Sequence, residues 1–232
     1  MRVAIVKYNA GNTASVANAL IRLGVEPMVT DVADELRAAD KVIFPGVGEA
    51  STAMKYLRER GLDSVIRSLT QPVLGICLGM QLLCETSEEN ETECLGILPY
   101  RVRRFESEKL KIPHTGWNRI TKLNSPLFTG VADGERVYFV HGYYVETGER
   151  TTATCEYGQK FSAAIGSDNF HAIQFHPEKS GGSSVFRVSR SSSELSRKYD
   201  RNYSGYGSDR RQMCTTYAGR FFAEDGVFRR PA

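Results

Sequence analysis

An open, mostly parallel α/β sheet flanked by helices and extended by antiparallel strands is the fold this sequence predicts, on three observations. Over roughly the first eighty residues, short apolar runs alternate with helical patterns, as parallel strands crossed over by helices do. After about Glu85 the texture changes to shorter β-rich pieces separated by Gly, Pro and Asn. The 232 residues, with 41% hydrophobic content, suffice to bury one sizeable core. Residues 1–182 read as one domain, and residues 183–232 as an atypical tail.

The elements follow in order. Residues 2–6 form an apolar run that reads as the first strand. Asn12 or Thr13 can cap a helix that places Val16, Leu20 and Leu23 on one face, with Gly24 positioned to end it. Residues 27–30 and 41–44 are the next two strands, the latter broken by Pro45-Gly46-Val47-Gly48. A helix then runs through Tyr56 and Leu57 to Gly61. Residues 73–76 form a fourth strand leading directly into Cys77, and a helix from Leu78 to about Cys84 follows. Beyond it, residues 101–105, 118–121, 136–140, 151–155, 162–165 and 171–175 read as the strands of the antiparallel extension.

Composition excludes several functions. No run approaches the roughly 20 apolar residues that span a bilayer, and the chain enters its first strand almost at once, so a cytoplasmic location and no membrane partner are expected. The net charge of +3 is concentrated in the tail: residues 183–232 hold ten Lys/Arg against five Asp/Glu, leaving 20 basic and 22 acidic residues in the body. A nucleic-acid partner is therefore not expected. The five cysteines, Cys77, Cys84, Cys94, Cys155 and Cys214, are odd in number and widely spaced, with no Cys-x-x-Cys pair. That favours reduced thiols over disulfides, and neither metal nor cofactor is expected.

Gly75-Ile76-Cys77-Leu78-Gly79 after an apolar strand has the form of a nucleophile elbow with sulfur in place of oxygen. Side chains in place of the two glycines would collide where strand gives way to helix, and the helix start offers N–H groups to a thiolate or an oxyanion. A lone cysteine in such a turn can equally be a buried core residue. A thiolate that attacks an amide needs an imidazole to manage protons, and the imidazole needs an orienting acceptor. Gln174-Phe175-His176-Pro177-Glu178 supplies both, because residues two apart on extended chain point the same way. The developing oxyanion needs two donors; Leu78 N–H is one, and the Pro45-Gly46-Val47-Gly48 loop brings a second near Val47.

Together these three motifs resemble the class I, triad-type glutamine amidotransferases. The resemblance implies Cys77 as nucleophile, His176 as base and Glu178 as its orienter, with Val47, Gly48, Leu78 and Gln81 near the glutamine substrate. Tyr8-Asn9-Ala10-Gly11-Asn12, Ile112-Pro113-His114-Thr115-Gly116-Trp117-Asn118 and Phe139-Val140-His141-Gly142-Tyr143-Tyr144 are similar to segments of the glutaminase subunits of imidazole glycerol phosphate synthase, in histidine biosynthesis. That implies hydrolysis of glutamine to glutamate and ammonia, a separate (β/α)₈ cyclase as heterodimer partner, and a partner-facing role for His114, Trp117 and Asn118. The other readings are a glutaminase of a pyridoxal phosphate or anthranilate type synthase, or a catalytically silent regulatory partner. Many members carry an aspartate after the first strand where this chain has Lys7, which implies little change in chemistry.

The resemblance covers residues 1 to about 181. Where the family continues into a last helix over the sheet, this chain turns to Ser, Arg, Tyr and Gly, the composition of a disordered basic extension. Residues 199–227 can also be back-translated so that the frame one nucleotide later reads MIGIIPAMDLIDGRCVRLTQGDFSQKTV. That string resembles the start of the phosphoribosyl-formimino aminoimidazole carboxamide isomerase, which implies a frameshift after about Gly182. Loss of the closing helix would leave apolar sheet surface bare and solubility marginal.

Overall fold

The computed structural model describes residues 1–9 and 11–180; the tail, and with it the frameshift reading, lies outside them. The chain runs β1 (Val3–Val6), α1 (Thr13–Arg22), β2 (Pro27–Thr30), α2 (Ala33–Ala38), β3 (Lys41–Gly46), α3 (Ala50–Glu59), α4 (Leu62–Ser68), β4 (Val73–Cys77) and α5 (Leu78–Leu82). It continues through β5 (Thr86–Ser87), β6 (Thr92–Glu93), β7 (Arg101–Arg104), β8 (His114–Arg119), β9 (Arg136–His141), β10 (Tyr143–Val145), β11 (Thr151–Tyr157), β12 (Gln159–Ser167) and β13 (Phe170–Ile173).

Eleven strands form one sheet in the order β2-β1-β3-β4-β13-β12-β10-β7-β5-β6, with β11 pairing β12 off this path. The half from β2 to β13 is parallel, and β12 reverses direction. Strands covered on both faces need continuous apolar sequence, and Val3–Val6 and Val73–Cys77 are buried at every position. One face packs Phe44 and Val73 against Met54, Leu57 and Ile66 of α3 and α4. The other sets Ile5, Ile43 and Ile76 with Val16 and Leu20 of α1, and with Phe139 and Phe161 from the extension. Four of the large exposed apolar side chains, Ile21, Met28, Val29 and Val32, lie on α1, on the edge strand β2 and in the turn after it.

Strand β3 runs on through Pro45 and Gly46, past the break expected at Pro45, because both still pair with β4 as Pro45↔Ile76 and Gly46↔Cys77. Gly61 ends α3 as expected, at φ 66°, but also starts α4, which the sequence reading did not include. Helix α5 stops at Leu82, shorter than the expected extent to Cys84. The Pro-His-x-Gly-Trp-Asn segment, which the reading left outside the sheet up to Asn118, is itself β8. It pairs with β9 alone as a two-stranded antiparallel ribbon, from His114↔His141 to Arg119↔Arg136.

Candidate active site

Parallel pairing brings the carboxyl ends of β3, β4 and β13 side by side, Gly46 beside Cys77 and Ile173 beside Ile76. The loop after β3, the elbow after β4 and the His-Pro-Glu segment after β13 therefore converge at one edge. Ligands of open α/β sheets bind in this position, outside the carboxyl ends of the strands.

The elbow's geometry follows from its glycines. Cys77 has φ 54° and ψ −108°, a backbone shape that non-glycine residues seldom adopt and that costs on the order of 1–3 kcal/mol. The turn brings α5 so close to β3 that a Cβ on Gly79 would sit 1.8 Å from the Phe44 carbonyl oxygen. A Cβ on Gly75 would meet Leu83 Cδ1 at 2.8 Å. Leu78 and Gly79 open α5, so their N–H groups have no partner within the helix.

His176 and Glu178 are brought to Cys77 as one unit. His176 Nδ1 and Glu178 Oε1 are 2.8 Å apart, and their side chains are 1% and 2% exposed. A carboxylate only accepts, so Nδ1 carries the proton and Nε2 is left for chemistry. Nε2 is buried and makes no well-formed hydrogen bond. Burial pushes the imidazole's pKa down, but attraction to Cys77 and then to Glu178 outweighs it and raises the pKa to about 9. The segment is pinned to the ribbon, His176 N–H donating to Tyr138 O at 2.9 Å and Ser180 Oγ to His176 O at 2.6 Å.

Sequence reasoning gave no role to Gln174, which is fully buried two residues before His176. Its Nε2 lies 3.7 Å from Cys77 Sγ, and its Oε1 accepts from Gln81 Nε2 at 3.0 Å. The same Gln81 nitrogen donates to Tyr143 O at 3.1 Å, so this side chain braces the cleft wall. Two-residue spacing from His176 on extended chain was the signal available for Gln174. Tyr8, also unassigned, donates to Pro45 O at 2.7 Å and holds the end of β3. A cleft of about 440 Å³ opens beside Cys77, with Val47, Gly48, Leu78, Gln81 and Tyr143 in its lining. All four residues expected near the substrate border it.

The three residues expected to face a partner do not share a face. Alternation along β8 turns His114 and Asn118 inward and Trp117 outward. Trp117 is 41% exposed and meets Tyr138 edge-on at 6.1 Å. His114 is 3% exposed and stacked between Phe139 and Tyr157, at 4.9 and 4.0 Å. The amide of Asn118 is held within the chain, donating to Glu156 O at 2.9 Å. In this chain on its own, His114 is thus buried and Asn118 half-buried with an internal bond, and Trp117 is the one of the three that is exposed.

Among the described residues no cluster of His, Cys, Asp and Glu could hold a metal, and no helix is long and apolar enough to cross a membrane. Residues 4–188 match the family model described as glutamine amidotransferase class-I. The chain belongs to that family. Among relatives of this amidotransferase, the imidazole glycerol phosphate synthase subunit HisH of Bacteroides fragilis is 58% identical over 183 residues, 78% of this chain and 93% of that one. The subunit of the same name from Escherichia coli is 46% identical over 183 residues, again 78% and 93% of the two chains. A solved glutamine amidotransferase from Thermotoga maritima shares the fold with TM-score 0.56 at 20% identity, covering 77% of this chain and 76% of that one. Another solved glutamine amidotransferase gives 0.60 at 21%, covering 75% and 90%.

Proposed function

We propose that this chain is the glutamine-hydrolysing subunit of an imidazole glycerol phosphate synthase, acting in histidine biosynthesis. The observation that carries the hydrolytic chemistry is the buried His176–Glu178 pair beside Cys77 at adjacent strand ends. The names of relatives that align over 93% of their length support the pathway over the pyridoxal phosphate, anthranilate and regulatory readings.

In the first half-reaction Cys77 passes its thiol proton to His176 Nε2 and its Sγ attacks the side-chain amide carbon of glutamine, while the carbonyl electron pair moves onto oxygen. Backbone N–H groups of Leu78 and of the Val47–Gly48 loop stabilise that oxyanion. Collapse of the tetrahedral species breaks the C–N bond as His176 Nε2 gives its proton to the departing nitrogen, releasing ammonia and leaving a γ-glutamyl thioester. Water then loses a proton to His176 and attacks the thioester; glutamate leaves and Cys77 is restored. Glu178 holds His176 in one tautomer and stabilises its charged form. The separate (β/α)₈ cyclase takes the ammonia and a ribulosyl-phosphate aminoimidazole intermediate to imidazole glycerol phosphate and aminoimidazole carboxamide ribotide. Neither half needs a membrane, in keeping with a cytoplasmic enzyme.

Glutamate release from glutamine, with and without the cyclase and its ligand, tests this. Wild type hydrolyses glutamine in the complex, and Cys77→Ala does not; activity that survives the substitution overturns the mechanism. The frameshift account of residues 183–232 is likewise our proposal, supported by the back-translated reading of residues 199–227. Resequencing the locus should find an isomerase start overlapping this frame, and one uninterrupted frame without such a start refutes it.

A further inference from the structure

Asn12 stands immediately before α1, where asparagine ordinarily caps a helix by accepting from the N–H of the second or third helical residue. It makes no side-chain cap bond here, although its backbone carbonyl accepts the first helical bond from Val16 N–H at 3.2 Å. Its side chain instead crosses to the turn that follows β13, where Nδ2 donates to Glu178 Oε1 at 2.8 Å, across 166 positions of sequence. An ionised carboxylate only accepts, so the amide nitrogen must be the end that points at it. Glu178 Oε1 thus receives two donors, His176 Nδ1 and Asn12 Nδ2, while Glu178 Oε2 is buried with no hydrogen bond.

We infer that Asn12 is a positioning residue for glutamine hydrolysis, the second donor that holds the Glu178 carboxylate in line with His176. This rests on the triad roles proposed above. A carboxylate 2% exposed has little water to bond its oxygens, and one tethered only through the imidazole swings with it. A neutral amide supplies the bond without adding a charge that would compete with the imidazolium for Glu178. A cap forgone at a helix start beside the triad fits the pattern of local rules yielding at functional sites.

The test uses the full chain assembled with its cyclase and ligand, and compares wild type with Asn12→Ser and Asn12→Asp. Serine is a good N-cap but too short to reach Glu178, so Asn12→Ser should keep or raise the melting temperature while kcat falls about 10- to 100-fold with KM little changed. Aspartate puts a second carboxylate against Glu178, so Asn12→Asp should lose activity at neutral pH and regain part of it as pH falls and the pair takes up a proton. A kcat of Asn12→Ser within twofold of wild type overturns the inference. So does a loss that follows a lowered melting temperature, which marks a purely structural role. Those outcomes leave the triad standing as long as wild type is active and Cys77→Ala is not; equal activity of those two sinks the triad itself.

Discussion

Replacing His176 by alanine lowers glutamine turnover by about 10⁴-fold, and replacing Glu178 by glutamine lowers it by about 10²- to 10⁴-fold. The first change removes the group that, among the described residues, is placed to protonate the departing nitrogen and later to take a proton from water. The second leaves a side chain of the same shape, but one that no longer stabilises an imidazolium. The pH profile separates these roles from mere disruption. His176 is held at a pKa of about 9, by Cys77 first and Glu178 second against the opposing effect of burial. Turnover should therefore hold through neutral pH and fall as pH rises through about 9, where the proton needed by ammonia is lost. Glu178→Gln removes part of that support and should move the alkaline fall to lower pH. Initial rates of glutamate release from pH 6 to 10 read both effects, and an alkaline limb that does not move in Glu178→Gln contradicts the orienting role.

The site was legible in the sequence where chemistry and strand ends coincide. Cys77 follows a wholly apolar strand between two glycines, so that motif carried its own geometry; His176 and Glu178 meet as expected, but through the short 3₁₀ turn Pro177–Lys179 that His176 opens, not through the alternation of extended chain. What brought them together, the neighbouring of β3, β4 and β13, depends on strand order, which no local pattern encodes. The residues expected to face a partner divide between two faces for a related reason. Three residues from one motif were placed on one surface, but strand periodicity sends Trp117 opposite to His114 and Asn118, and Gly116 with its polar neighbours hides that strand from a search for apolar runs. Asn12 read as a cap because capping is the local use of asparagine; its actual partner lies at the far end of the domain. Strand β10 has three residues and α2 has six, too short for either period to register.

Acid should unfold this domain through its histidines before its carboxylates are involved. His141 Nδ1 lies 2.6 Å from Tyr143 O, and since a carbonyl only accepts, that nitrogen carries the proton. His141 Nε2 is then a bare acceptor for His114 Nδ1 at 3.1 Å, and His114 Nε2 accepts from Asn118 Nδ2 at 3.3 Å. Every step of this buried chain requires both rings neutral. Burial pushes His114 down to about 4 and His141 to about 3, the latter also repelled by the charges of His114 and His176 and only partly offset by its bond to Tyr143 O. Burial likewise pushes His171 to about 4. A histidine depressed below its unfolded value near 6.5 favours the folded state fully above about pH 6.5, and loses that contribution as pH falls and the unfolded chain takes the proton. Each such histidine should cost about 1.4 kcal/mol of stability per pH unit in that range. His176, raised to about 9, acts in the opposite sense: its contribution is full below about 6.5 and is lost as pH rises through 9. The urea midpoint should therefore pass through a maximum near neutrality and already decline between about pH 6 and 5, where few carboxylates bind protons. Exchanging His114 and His141 together for phenylalanine and leucine should lower the neutral-pH midpoint but flatten the acid slope. A slope unchanged by that exchange would place the acid sensitivity elsewhere.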